Sequence, residues 1–115
     1  MATATQIRTK ALKKLGVLAT GQTTESEIAE DLDRAYEEVY AALAAKGLVT
    51  WDADEDIPPE YVMPVVALVA FARADEYGIP NDRYQRIAGD MSRATAEIRE
   101  LQESNVYKTP TAVYY

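Results

Sequence analysis

At 115 residues with no cysteine, no histidine and a formal net charge of −7, the chain reads as one domain that buries a core without disulfides or metal staples. The missing thiol and imidazole remove thiolate nucleophiles, the serine-triad base and the commonest zinc ligand together. Serine occurs only at Ser26, Ser92 and Ser104, outside any G-x-S-x-G setting, and the five glycines form no phosphate-cradling loop.

The first helix is expected over about residues 5–15, because Ile7, Ala11, Leu12 and Leu15 fall on one face. Lys13 and Lys14 sit in its last turn, where cations complement the helix dipole, and Gly16 offers the left-handed stop. The second is expected over 25–46. Thr24-x-x-Glu27 matches a capping box, and Ile28, Leu32, Ala35, Tyr36, Val39 and Leu43 form a stripe at helical spacing. Lys46 and Gly47 close its far end, and Tyr40 falls at the rim of the stripe. Leu48 to Trp51 suits a short strand or an extended link, and 52–56 reads as an exposed acidic loop. Its D-x-D-x-D opening lacks the glycine and the late acid of a calcium loop, since Ile57 and Met63 stand at those places.

A third helix is expected to begin at 60–62, so that Pro64 falls among the first residues, whose N–H groups lack helical partners, and to end near Tyr77. From Val62 to Ala72 it has almost no polar face, which suits either the centre of a bundle or a face against another subunit. The fourth is expected over about 82–103 with Asn81 as N-cap. Tyr84, Ile87, Met91, Ala94, Ile98 and Leu101 alternate spacings of three and four, a narrow packing seam. Asp82–Arg86, Arg86–Asp90, Arg93–Glu97 and Arg99–Glu103 stand at i, i+4 on its outer faces. The fold expected is all-α: a small bundle of about four helices (residues 1–103) followed by an extended C-terminal arm (104–115).

That arm carries three tyrosines, two valines and Pro110, too apolar for a solvated tail and unable to prolong the helix through the proline. Twelve extended residues span at most ~40 Å. Tyr107, Pro110, Val113, Tyr114 and Tyr115 are therefore candidate contacts with a partner, the alternative being a tail folded back on its own domain. Charge is uneven as well. Residues 1–24 hold Arg8, Lys10, Lys13 and Lys14 and no acid, whereas 25–56 hold eleven acids against Arg34 and Lys46. Opposite patches of this kind steer head-to-tail association, and the four bases are candidate intersubunit charge contacts. Ordinary surface charge is the competing explanation. No apolar run is long enough to span a bilayer, and no secretory leader is evident, so synthesis in a cytoplasm is expected.

Ala11-Leu12-x-x-Leu15-Gly16-Val17-Leu18-Ala19-x-Gly21 resembles the opening of the head–tail adaptor (head completion, or tail accessory factor) family of tailed bacteriophages. Leu32, Tyr36, Leu43, Gly47-Leu48, Trp51, Ile57-Pro58 and Val69-Ala70 to Tyr77-Gly78 follow that family's pattern in order, across roughly residues 6–103. The resemblance implies a structural virion protein, not an enzyme, with no catalytic residue, metal or cofactor. It implies a ring of copies, usually a dodecamer, beneath the portal protein at the head–tail interface. Such a ring prolongs the channel for double-stranded DNA, which passes without sequence-specific binding, and gives tail proteins a platform. In that family an extended terminal arm commonly grips the portal, the role that 104–115 fits here. The alternative is a small helical regulatory or DNA-binding module acting through Arg8, Lys10, Lys13 and Lys14, although these bases lack a turn and second helix beside them.

Overall fold

The computed structural model describes residues 3–16 and 26–108, and among them the protein is all-helical. Four helices follow one another: α1 (Ala4–Leu15), α2 (Ser26–Ala45), α3 (Pro59–Arg73) and α4 (Asn81–Lys108), with a 3₁₀ turn (Ala74–Tyr77) between α3 and α4. No strand occurs among the described residues, so Leu48 to Trp51 is an extended link.

Local chemistry explains the helix ends. Thr3 caps α1: its hydroxyl accepts from the Gln6 N–H at 3.2 Å, and the Gln6 side chain accepts from the Thr3 N–H at 2.9 Å. This capping box satisfies two otherwise orphaned donors. At the other end Gly16 adopts φ 80°, a conformation that any Cβ would strain. At the end of α2, Gly47 has φ 71°; its N–H donates to the Ala44 carbonyl and the Leu48 N–H to the Leu43 carbonyl. That pair of bonds is a Schellman stop, and Leu43 and Leu48 both enter the core beside it.

α3 starts at Pro59, earlier than the expected 60–62, and Pro64 is its sixth residue. Pro59 occupies the first helical position, where its fixed φ is already suitable. Pro64 then deprives only the Glu60 carbonyl of its usual donor, and Glu60 is exposed to water. The Tyr61 N–H donates to the Pro58 carbonyl at 3.0 Å, tightening this first turn. α3 ends at Arg73 and passes into the 3₁₀ turn, which Gly78 closes at φ 59°.

α3 is the centre of the bundle, packing against α1, α2 and most extensively α4. Tyr61, Val65, Val69 and Ala70 are fully enclosed. Of its two expected settings, the bundle centre is the one found, and Met63 is the large apolar side chain left exposed among the described residues. Ile7, Ala11, Leu12 and Leu15 of α1 and Leu32, Ala35 and Tyr36 of α2 close over the same core. The seam of α4 contributes Ile87, Ala94 and Ile98, while Tyr84, Met91 and Leu101 are half-buried. α4 continues to Lys108, so residues 104–108, expected as the start of an extended arm, are helical in backbone. The expected boundary at 103 therefore falls inside a continuous helix. The remainder of the arm lies outside the described residues.

Candidate interaction surfaces

The basic residues of α1 divide into two pairs. Arg8 is largely enclosed, and its Nη1 donates to both oxygens of Asp33 on α2, at 3.0 and 3.2 Å. Its Nε is buried without a hydrogen-bond partner. Lys14 pairs with Asp90 of α4, and that hydrogen bond is the main reason the Asp90 carboxyl titrates below its ordinary value. Arg93 supports the same carboxylate from one turn further on. Arg8 and Lys14, expected to reach between subunits, thus hold α1 to α2 and α4 within one chain. Lys10 and Lys13 remain exposed.

Arg83 completes the α1–α4 junction. Its Nη1 donates to the Lys14 carbonyl at 3.1 Å, and its guanidinium covers Gly16. A cation there satisfies a free carbonyl and opposes the negative end of the helix dipole. Sequence reasoning paired the bases of α4 with acids on α4 itself. Asp90 instead turns to Lys14 and Arg93, and Arg86 is exposed without an ion pair among the described residues.

A second cluster fastens α2 to the end of α3. The Arg73 guanidinium donates to Asp31 at 3.1 Å and, through Nη1 and Nη2, to both oxygens of Glu38. Tyr77 donates to the other oxygen of Asp31 at 2.7 Å. Burial alone would raise the Asp31 carboxyl, but the bonds from Tyr77 and Arg73 outweigh it and hold it below its usual range. The Tyr77 phenol is pushed up by burial and by the proton it shares with that carboxylate.

The acidic loop is tied down by aromatic residues at its entrance. Trp51 is buried; its Nε1–H donates to the Tyr36 hydroxyl at 3.0 Å, and its carbonyl accepts from Tyr40 at 2.6 Å. Tyr40 is thus a half-buried staple at the rim. The Trp51 ring lies 4.9 Å from that of Tyr61, and Ile57 is fully buried on the far side of the loop. Between these anchors the Asp52 N–H donates to Glu55 at 2.8 Å, and the Glu55 N–H returns to the Asp52 carbonyl. Asp52, Asp54, Glu55 and Asp56 are all exposed on this short turn.

Of the expected arm contacts, Tyr107 falls in the backbone of the last turn of α4. Pro110, Val113, Tyr114 and Tyr115 lie outside the described residues. No described helix is long and apolar enough to cross a membrane. Comparison with protein-family models, with curated proteins and with solved structures finds no match.

Proposed function

We propose that this protein is a structural head-to-tail adaptor of a tailed bacteriophage, a ring component that sits beneath the portal, prolongs the DNA channel and receives the tail. The observation that carries this reading is where the residues of the adaptor-like pattern lie. Ala11, Leu12, Leu15, Leu32, Tyr36, Leu43, Leu48, Trp51, Ile57, Val69 and Ala70 are all core residues, and Gly16, Gly47 and Gly78 all take positive φ. The pattern is thus one of packing and turn residues, with Pro58 and Tyr77 half-buried and Val17, Leu18, Ala19 and Gly21 outside the described residues.

The surface fits an assembly part. Lys10, Lys13 and Arg86 are exposed bases on α1 and α4, and an acidic turn is anchored by buried Trp51 and Ile57. In this reading the arm contacts the portal, neighbouring copies contact one another, and DNA slides past without base readout.

The test mixes the purified protein with portal particles from the same virus and images the product by electron microscopy. Added density beneath the portal ring supports the reading, and bare portals at saturating protein reject it. Deleting residues 109–115 separates arm from body. The buried residues of the described domain all precede Glu103, so the melting temperature is expected to stay unchanged while portal attachment is lost. A lowered melting temperature with attachment retained would mean that the tail packs on its own domain.

A further inference from the structure

Exposed charges without an ion pair occur on every described helix, Arg34, Asp82 and Glu97 among them; two groups of opposite sign stand out by their position. The first is composite. The Lys14–Asp90 pair and the bond from Arg83 to the Lys14 carbonyl lay α1 against the first half of α4. Lys10 and Lys13 on α1 and Arg86 on α4, one turn before Asp90, are exposed there and make no ion pair among the described residues. The segments 3–16 and 81–93 together carry seven bases and two acids, in a chain with 12 bases and 19 acids. Arg8, Lys14 and Arg83 of these are committed internally, and Lys10, Lys13 and Arg86 are exposed without an ion pair.

The second is the 52–56 turn. Its carboxylates form no ion pair among the described residues either. It is fastened to α2 through Trp51, whereas the three exposed bases lie on α1 and α4, and α2 and α4 flank α3 without a packed face between them. Anchoring by Trp51 and Ile57 means that little freedom is lost when these carboxylates meet a partner.

We propose that Lys10, Lys13 and Arg86 form a docking face for the 52–56 turn of a second copy of this chain. The contact joins two different patches, so it is head-to-tail and leaves one free patch of each sign at the ends of any open assembly. Only closure into a ring rests on the adaptor reading. A protein partner suits the face better than nucleic acid. The exposed bases are few, the nearby Tyr84 packs on Phe71, and the surrounding chain is acidic. Charge complementarity of this kind sets register and encounter rate and is weakened by salt.

Two charge-reversed full-length chains test the contact. One carries Lys10→Glu, Lys13→Glu and Arg86→Glu; the other carries Asp54→Lys, Glu55→Lys and Asp56→Lys. All six positions are exposed, and circular dichroism checks that both variants remain folded. Self-association at low salt, read by sedimentation, is expected to fall about tenfold or more in each variant alone and to return when the two are mixed. A merely structural effect would not be rescued by mixing. In parallel, unlabelled and heavy-nitrogen-labelled wild-type chains are treated with a zero-length amine–carboxyl cross-linker. Cross-links joining Lys10 or Lys13 of one copy to 52–56 of another support the contact. Exclusively intrachain links, absence of rescue, or patch-dependent binding of duplex DNA without inter-copy links would overturn it. If rescue occurs but portal particles bind neither wild type nor mixture, the contact stands and the adaptor reading falls. If portals are decorated while rescue fails, the reverse holds.

Discussion

Replacing Gly16 by alanine tests the α1–α4 junction most directly. At φ 80° the new side chain occupies the left-handed region, which costs a non-glycine residue about 1 kcal/mol or slightly more. Its Cβ would also stand 3.1 Å from Cζ and Nη1 of Arg83. The guanidinium is the end of a flexible side chain, so it withdraws and the clash itself is cheap. The cost lies in what it leaves behind: the Lys14 carbonyl loses its charged donor and the helix end its cation, together about 1 kcal/mol. The sum is about 2 kcal/mol. For a domain of about this size each kcal/mol moves the melting temperature by roughly 4–8 °C, so Gly16→Ala is expected to melt ~8–16 °C below the parent.

A double-mutant cycle identifies the mechanism. Arg83→Ala alone is expected to cost about 1 kcal/mol by losing the carbonyl cap. Because Gly16→Ala already displaces that cap, the double variant is expected to cost little more than Gly16→Ala alone, a coupling of about 1 kcal/mol. Denaturant midpoints with unchanged slopes measure all four corners. Gly16→Ala within ~0.5 kcal/mol of the parent would refute the strain argument. Strict additivity would refute the role given to Arg83.

The other predictions concern the loop anchor and the charge cluster. Trp51→Phe is expected to cost about 1 kcal/mol through the lost bond to Tyr36, and Trp51→Ala about 3–5 kcal/mol by leaving a cavity against Tyr61, both read from denaturant midpoints. The alanine variant is also expected to loosen the 52–56 turn and reduce inter-copy cross-linking without any change of charge; unchanged cross-linking would separate loop order from docking. Arg73→Ala removes the partner of Glu38 and leaves Asp31 with Tyr77 alone, and is expected to destabilise by about 1–3 kcal/mol, with Arg73→Lys recovering only part because it cannot serve two carboxylates in a fork. Asp31, Glu38 and Asp90 are all held below their ordinary values of 3.8, 4.5 and 3.8, Glu38 and Asp90 chiefly by bonds from Arg73 and Lys14. Their contribution is complete above those ordinary values and is lost as pH falls through the lowered folded ones, so acid is expected to destabilise the parent more than Arg73→Ala. Burial raises the Tyr36 and Tyr77 phenols, giving the opposite sign: stability present below pH 10.0 and lost as alkali ionises them. A melting temperature flat from neutrality into strong acid would contradict the carboxylate part.

Periodicity and turn chemistry are local, and they carried most of the fold. Ile7, Ala11, Leu12 and Leu15 are all buried, and Gly16, Gly47 and Gly78 take the positive φ that ends a helical segment. Where two local signals competed, the weaker was easily overweighted. Pro64 argued for a late start to α3, yet Pro59 fits the first helical position and the lost bond falls at the exposed Glu60. Thr3 and Gln6 form a capping box at the usual Ser/Thr-x-x-Glu/Gln spacing, so α1 starts at Ala4, one residue before the expected position. The side-chain pairings between helices were out of reach for a different reason. Lys14 meets a residue 76 positions away, Arg83 one 69 away and Arg73 one 42 away, and no helical period connects such partners.

This non-local pairing decides what α1 can do. Read from the sequence, Arg8, Lys10, Lys13 and Lys14 are equivalent cations on one helix. In the folded chain, Arg8 and Lys14 are partly enclosed and directed at Asp33 and Asp90. Moving Arg8 outward would leave Asp33 without its cation, and moving Lys14 would leave Asp90 with Arg93 alone, a loss that a surface contact worth about 1 kcal/mol or less does not offset. Lys10 and Lys13 have no such commitment, and Arg86 makes no ion pair among the described residues with either Asp82 or Asp90. The internal pairs therefore do two things at once: they dock α1 on its neighbours and select which bases face outward. Neutralising Asp90 is expected to expose that link, since Asp90→Asn would release Lys14 and Arg93 to the surface. The variant should fold less stably yet bind the acidic turn of a second copy at least as well as the parent, and a parallel loss of both properties would show that the outward face depends on the junction rather than being sorted by it.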